Sequence, residues 1–372
     1  MCGIAGIVKQ NSMRAERPLL EHMIGMVNHR GPDAAGFHLS GSVGLAHARL
    51  SIIDVGGGHQ PMHNEDKTVW ITFNGEIFNY VELREDLIRK GHRFQTQSDT
   101  EVIVHLYEEK GEDCVQYLNG QWAFAIWDSR SERLFLSRDR VGVRPLFYAK
   151  TAEGFVFGSE IKSLLVVPSV HRAIDLEALD ELFTFWVTLP PRTIFSDVSE
   201  LPPGHSLIFH RGDVQIQPYW RLDYNPSSGP KTEEEAREGL LELLLDATRI
   251  RLRSDVPVGA YLSGGLDSTV IAALVKKLGT THLRTFSVAF EDKEFDESSF
   301  QNEASSFLKT DHQGVLCASQ DIGRVFPDVI WHTEKPVLRT APAPLFLLSK
   351  LRSEEHTSEL QSHSFISYAV FC

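Results

Sequence analysis

The chain has 372 residues, of which 42% are hydrophobic and 23% charged, a balance that suits soluble globular domains and a length that suits two of them. A formal net charge of -13 argues against a nucleic-acid backbone as partner, and no apolar run is long enough to cross a bilayer. The N-terminus lacks the basic start and cleavage site of a signal peptide, so a cytoplasmic location is expected. The widely spaced Cys2, Cys114, Cys317 and Cys372 are expected as free thiols rather than zinc ligands or a redox pair.

The first half of the chain is strand-rich. Residues 68–73 alternate and are β-branched, the pattern of a strand. Residues 123–128 and 134–137 read as a hairpin around a polar turn, and residues 145–148 and 154–158 repeat the plan. Residues 80–90 and 99–110 carry apolar side chains at helical spacing. Strands with segregated helices imply an α+β domain. Cys114 and Cys317 read as small core residues. After Trp220 the composition shifts to turn residues, the mark of a linker. Thr232 with Glu235 three residues on is a capping box, opening a helix whose apolar side holds Leu240, Leu241, Leu244, Ala247 and Ile250. Strand 256–262, a glycine loop, helix 268–278 and strand 285–290 then follow, the order of a parallel α/β sheet.

Two stretches carry chemistry. Cys2 lies directly behind the initiator methionine. Once Met1 is removed, Cys2 carries a thiol and an α-amine of pKa about 7.7–8.0, a nucleophile and its base in one residue. A chance cysteine at a frayed terminus is the competing reading, although Gly3-Ile4-Ala5-Gly6-Ile7-Val8 is apolar and strand-like. An acyl-transfer site also needs oxyanion donors. The Asn74 amide and the Gly75 N–H would serve, but Asn-Gly taken alone reads first as a hairpin turn.

Five motifs occur in order: Cys2-Gly3-Ile4, Arg30-Gly31-Pro32-Asp33, His47-Ala48-Arg49-Leu50-Ser51-Ile52, Phe73-Asn74-Gly75-Glu76-Ile77-Phe78-Asn79 and Ser98-Asp99-Thr100-Glu101. Together they resemble the glutamine amidotransferase domain of the N-terminal-nucleophile class, in its asparagine synthetase branch. The resemblance implies an αββα N-terminal-nucleophile hydrolase sandwich. In it Cys2 attacks the glutamine amide, and Asn74 and Gly75 form the oxyanion hole. Arg49 holds the α-carboxylate, for which its planar fork is suited. Asp99 and the Glu76 region hold the α-ammonium, Leu50, Ser51, Ile52 and Ile53 line the pocket, and residues 30–33 form a loop over it. A surface arginine, and a helix cap at Asp99, are the bland alternatives.

The second stretch is Val258-Gly259-Ala260-Tyr261-Leu262-Ser263-Gly264-Gly265-Leu266-Asp267-Ser268, between a strand and a helix. Its glycines allow backbone N–H groups near phosphate oxygens at a helix N-terminus, and no Gly-Lys-Ser/Thr makes it a Walker loop. It is similar to the Ser-Gly-Gly-x-Asp-Ser loop of ATP pyrophosphatases. The resemblance implies that Ser263, Gly264, Gly265 and Ser268 cradle phosphates, Asp267 coordinates Mg2+, Leu262 packs on the nucleotide and Val288 contacts the adenine side. Aspartate would then form β-aspartyl-AMP with release of pyrophosphate, and ammonia from the first site would displace AMP.

The family's later glycine loop does not follow helix-like residues 344–351. Residues 352–363 instead resemble a translated sequencing-library adapter, so residues 352–372 are expected to be non-native. The expected plan is thus an amidotransferase domain at 1–220, a linker at 221–232, a truncated α/β parallel-sheet ATP-pyrophosphatase domain at 233–351 and that tail. The expected reaction converts ATP, aspartate, glutamine and water to asparagine, glutamate, AMP and pyrophosphate, with this chain acting as a glutaminase only. A homologue amidating another carboxylate, and a non-catalytic glutamine-binding protein, are the alternatives. Glutamine, aspartate and ATP are the expected partners, without nucleic acid or membrane, and the resemblance is compatible with a homodimer.

Overall fold

Gly3–Lys9, strand β1, directly follows Cys2, and six of its seven residues are buried. It pairs antiparallel with Val43–Arg49 (β3) on one side and Gly154–Gly158 (β9) on the other. Covering both faces of a central strand requires two cores, and side-chain alternation supplies them. Ile4 and Val8 enter one hydrophobic cluster, whereas Ala5 and Ile7 enter another. These positions come from a computed structural model describing residues 1–11, 13–224, 229–279 and 282–354. The chain divides into two units, Met1–Arg221 with Glu334–Leu338, and Leu222–Thr333 with the described residues from Arg339.

In the first unit, Ala34–Ser40 (β2), Phe147–Thr151 (β8) and Ser199–Glu200 (β10) complete a sheet of order β10-β8-β9-β1-β3-β2. A second sheet contains Met62–His63 (β4), Val69–Ile77 (β5), Gly120–Asp128 (β6), Arg133–Arg138 (β7), His205–His210 (β11) and Asp213–Pro218 (β12). Its order is β12-β11-β7-β6-β5-β4. All of these pairings are antiparallel. Ile4, Leu45, Phe155 and Phe157 of the first sheet meet Ala125, Leu136, Leu207 and Phe209 of the second. Arg17–Gly25 (α1) and Ile161–Leu164 (α4) cover the outer face of the first sheet. Tyr80–Arg89 (α2) and Asp99–Lys110 (α3) cover that of the second, and Leu176–Phe185 (α5) follows α4. The result is the αββα sandwich of N-terminal-nucleophile enzymes.

One local expectation changes here. The strand read at 68–73 runs on to Ile77, and Asn74, Gly75 and Glu76 all pair with β6. Asn74-Gly75 is therefore strand, not a hairpin turn. Cys114 and Cys317 are buried, as core residues should be.

In the second unit, Glu233–Arg251 (α6) begins as the capping residues direct: Thr232 Oγ1 accepts from Glu235 N at 3.1 Å. The Glu235 carboxylate accepts from Lys231 N at 2.9 Å, one residue ahead of the usual return bond. The leucines expected on the apolar side are not buried: Leu240 and Leu241 are 58% and 46% exposed. Burial is confined to the last turns, at Thr248 and Ile250, where α6 packs on Leu266–Lys277 (α7). A parallel sheet of order β13-β14-β15 joins Gly259–Tyr261 (β13), Arg284–Phe290 (β14) and Asp311–Cys317 (β15). Ser298–Leu308 (α8), Ser319–Thr333 (α9) and Pro342–Glu354 (α10) complete this unit. The strand read at 256–262 forms only over β13. Among the described residues no helix is long and apolar enough to cross a membrane. Linker residues 225–228, and residues 355–372 of the expected tail, lie outside the described residues.

Phe157 is fully buried between the two sheets of the first unit. Phe157→Ala is expected to lower unfolding free energy by about 3–5 kcal/mol in urea titration, the usual cost of removing a buried ring.

Candidate active site

Cys2 stands at the mouth of β1, where the pairing of Gly3 with Ala48 brings the start of the chain beside the end of β3. Its thiol is bracketed by one peptide: Leu50 N donates to Sγ at 3.4 Å, and Sγ lies 3.6 Å from Leu50 O. Burial pushes the Cys2 thiol pKa up. The positive N-terminus, the Leu50 N–H and Arg144 act in the opposite direction, whereas Asp99 adds to the rise. With Met1 in place the thiol is thus in its poorly nucleophilic form. Met1 itself is buried, its sulfur against the Arg144 guanidinium.

Across the sandwich, β5 presents Asn74. It is 1% exposed, and among the described residues neither its Nδ2 nor its Oδ1 has a hydrogen-bond partner. A buried amide without partners costs about 1–3 kcal/mol, so a ligand that hydrogen-bonds it here would relieve that cost. Gly75 follows for a steric reason. A Cβ there would lie 2.1 Å from Gln121 O and 2.6 Å from the Phe73 ring, so only glycine keeps this stretch in the ladder. The Phe73 carbonyl is fixed by His47 Nε2 at 3.0 Å, and burial drives the His47 pKa down to about 3. The neutral ring therefore donates from Nε2. Gln60 joins the same edge, its Oε1 accepting from Phe73 N at 2.7 Å and its Nε2 donating to Thr100 at 3.1 Å.

Leu50, Ser51, Ile52 and Ile53 follow β3 and are half-buried. Ser51 N donates to Asp33 Oδ2 at 2.7 Å, which ties the 30–33 segment to this rim. Arg49 behaves differently from the expectation of a fork held open for a carboxylate. It donates to Val55 O at 3.1 Å and Asp54 O at 2.6 Å, holding the following turn. A guanidinium has five N–H donors, so this anchoring is compatible with a carboxylate ligand as well. Asp99, the first residue of α3, is 5% exposed and accepts from Ile77 N at 2.9 Å. The cap considered for it belongs to Ser98, whose side chain accepts from Thr100 N. Asp99 is thereby left as a buried carboxylate, and burial pushes its pKa to about 6 against the backbone N–H groups that stabilise its charge. Glu76 is half-buried on the same strand as Asn74.

Sequence reasoning placed Arg30 in a covering loop. In the structure it is buried, donating from Nε to the Cys2 carbonyl at 3.0 Å and from Nη1 to Glu160 at 2.8 Å. Glu160 was not foreseen. It gathers Arg30, His29 at 3.1 Å and the Lys162 ammonium, which outweigh its burial and hold its pKa well below the usual range. Glu334, grouped with this unit, accepts from Ile161 N at 2.6 Å and Lys162 N at 2.7 Å. Burial and the Glu160 charge push Glu334 up to about 7. A warning was visible in the sequence: charged Glu160 and Lys162 interrupt an apolar run, and such residues are rarely buried unless paired.

In the second unit the loop after β13 turns at Gly264, with φ of +85°. A Cβ there would lie 2.9 Å from Gln301 N and 2.9 Å from Phe300 Cβ, so this cradle requires glycine. Ser268 Oγ ties the loop together, accepting from Ser263 N at 3.1 Å, with Ser263 Oγ 2.9 Å away. Gly265 precedes α7 and has no side chain to cap it, while Asp267 is exposed in the first turn. Helix N–H groups in such a place suit an anion, and a neighbouring carboxylate suits a hard cation. The Leu262 side chain is buried with Ala272, Val275 and Leu283. The Val288 carbonyl accepts from Gln301 Nε2 at 2.8 Å.

The Asp99 carboxyl gives a test with a defined sign. Its folded pKa of about 6 lies above the ordinary aspartate value of about 3.9, so the unfolded chain ionises first. Stability therefore falls as pH rises from about 4 to 6 and stays lower above that window. At pH 7.5 the ionised group costs up to roughly 3 kcal/mol. Asp99→Asn is expected to raise stability at pH 7.5 by about 1–3 kcal/mol in chemical denaturation and to leave it unchanged near pH 3.5.

Comparison with known proteins adds family information to this geometry. A glutamine amidotransferase domain matches residues 1–220 and an asparagine synthase domain matches residues 239–360. The glutamine-hydrolyzing asparagine synthetase 1 of Bacillus subtilis strain 168 is 36% identical, over 94% of this chain and 55% of its own length. Asparagine synthetase 3 of the same organism is 37% identical, over 91% and 56%. A fungal protein named amidase chyE, from Penicillium rubens, is 34% identical over 86% of this chain and 49% of its own. The chain spans about half the length of these curated relatives. It belongs to the glutamine amidotransferase family, in the group of the glutamine-hydrolysing asparagine synthetases.

Proposed function

We propose that this chain supplies the glutamine-hydrolysing site and the first ATP-binding loop of a glutamine-dependent asparagine synthetase, an enzyme forming asparagine, glutamate, AMP and pyrophosphate from aspartate, glutamine, ATP and water. One observation carries the reading. The thiol pinned at the chain start leads into β1, which packs against β5, and the Asn74 amide of β5 is buried without a partner among the described residues.

Loss of Met1 would free the Cys2 α-amine next to its own thiol, and the amine would accept the thiol proton. The thiolate attacks the glutamine side-chain amide. The tetrahedral oxygen is met by Asn74 Nδ2 and Gly75 N–H, the Cys2 α-ammonium passes its proton to the amide nitrogen, which leaves as ammonia, and water then splits the thioester to glutamate and the free thiol. Arg49 and the rim from Leu50 to Ile53 hold the α-carboxylate end. Asp99, with Glu76 beside it, pairs with the α-ammonium, which gives the buried carboxylate a counter-charge. Arg30, braced by Glu160, fixes the Cys2 carbonyl and hence the direction of the thiol.

In the second unit the Ser263–Gly264–Gly265 turn, Ser268 and the α7 N-terminus would cradle the ATP phosphates. The Leu262 and Val288 backbones would border the base side, and Asp267 would hold Mg2+. Bound there, Mg2+ supplies charge neutralisation to the phosphates. The amidotransferase domain is assigned to 1–220, the linker to 221–232 and the partial synthetase domain to 233–351. A second reading keeps the Cys2 chemistry but amidates a different carboxylate, and the relative named an amidase supports it.

With glutamine, aspartate, ATP and Mg2+ supplied together, this chain is expected to form glutamate but no asparagine when the two products are quantified separately. Asn74→Ala is expected to lower glutaminase kcat by about 100- to 1000-fold, the usual cost of one oxyanion donor. Glutamate release at the wild-type rate by Cys2→Ala would contradict the reading.

A further inference from the structure

The first unit also contains a group of side chains that glutamine chemistry does not use. Glu65 lies between β4 and β5, His92 follows α2, and His105 and Glu108 stand three residues apart on α3. One ligand atom from each lies within 4.8 Å of all the others. We propose that these four residues form a divalent transition-metal site of the zinc type, clamping the 65 turn and the α2–α3 connection onto α3.

Three edges of the cluster fit such a site. His105 Nδ1 lies 3.1 Å from Glu108 Oε2 and 3.7 Å from Glu65 Oε2, and His92 Nδ1 lies 3.7 Å from Glu108 Oε2. Tetrahedral bonds of about 2.0–2.1 Å place ligand atoms roughly 3.3 Å apart, so small side-chain rotations would close the set. Imidazole nitrogens with carboxylates suit zinc, cobalt or nickel better than magnesium or calcium.

The outer contacts point the same way. Metal-bound histidines usually turn their other nitrogen toward a carboxylate. Here His92 Nε2 faces Glu109 at 3.2 Å, and His105 Nε2 faces Glu101 at 3.6 Å. Glu101 is itself held by Gln95 N and Thr96 N, each at 2.7 Å. The ligand carboxylates are held by their far oxygens: Glu108 Oε1 accepts from Asn64 Nδ2 at 2.7 Å, and Glu65 Oε1 accepts from Arg93 N at 3.0 Å. Glu65, Glu108 and His92 are therefore held on their outer sides, and His105 has the Glu101 carboxylate beside its outer nitrogen. His105 is 1% exposed, so one wall of the site is dry.

Without metal the same groups would hold a proton. Burial opposes charge on His105, but Glu101, Glu108 and Glu65 outweigh it and lift its pKa to about 9. A proton-bridged ion-pair network is thus the competing occupant.

The test uses the full chain with Cys2→Ala, which removes the Cys2 thiol as a competing metal ligand. Chelator-treated protein is titrated with Zn2+ for stoichiometry and stability, and with Co2+ for its visible spectrum. One ion per chain is expected, with a tetrahedral Co2+ spectrum free of thiolate charge transfer. Saturating Zn2+ is expected to raise the melting temperature by roughly 5 °C. Glu65→Gln and His92→Asn should each weaken binding by about 100-fold or more, and Glu109→Gln, on the outer side, by about 10- to 100-fold. His171→Asn, at an exposed histidine elsewhere, should leave binding unchanged. Absence of saturable uptake, an octahedral Co2+ spectrum, or equal affinity in the Glu65 and His92 variants would each overturn the proposal in favour of the proton-bridged network.

Discussion

A chain terminus is normally the least ordered part of a protein, and this one is tied on both sides. The strand behind Cys2 is hydrogen-bonded to Val43–Arg49 and to Gly154–Gly158, and its side chains enter two cores. That double pairing sets where the thiol lies. The Leu50 peptide reaches the thiol and the Arg30 guanidinium reaches the Cys2 carbonyl because this strand holds Cys2 in register with them.

The site is built at some cost to the fold. Asn74 is buried without partners, Asp99 is a buried carboxylate, and the Cys2 thiol is desolvated. Each is a group that folding alone would rather leave in water, and on the proposed function glutamine would offer each a complement: an amide oxygen turning oxyanion, an ammonium, and an electrophilic carbon. The Glu160 cluster resolves its own burial differently. Arg30, Lys162 and the His29 ring meet one carboxylate, and Arg30 in turn holds the Cys2 carbonyl.

Much of this was legible in the sequence because the chemistry sits in short, local motifs. Cys2 at the chain start, the order of the amidotransferase motifs and the serine–glycine turn before α7 carry their meaning within a few residues. What was missed depends on long-range pairing. Asn74-Gly75 has turn chemistry locally, and only the nine-residue ladder with Gly120–Asp128 makes it strand. Glu160 acquires its role from residues about 130 positions away. The carboxylates and imidazoles around His105 come from three separate stretches, so no spacing rule reveals them. Leu240 and Leu241 failed in the other direction: helical periodicity marks an apolar side but does not show what covers it.

The central claim is that an unblocked Cys2 provides both the sulfur and the base. Intact-mass analysis of preparations with graded Met1 retention, each paired with its glutaminase rate and its rate of Cys2 alkylation by a glutamine-like electrophile, tests it most directly. Both rates should scale with the fraction of chains that begin at Cys2. Full-rate hydrolysis by chains that still carry Met1 would contradict the account.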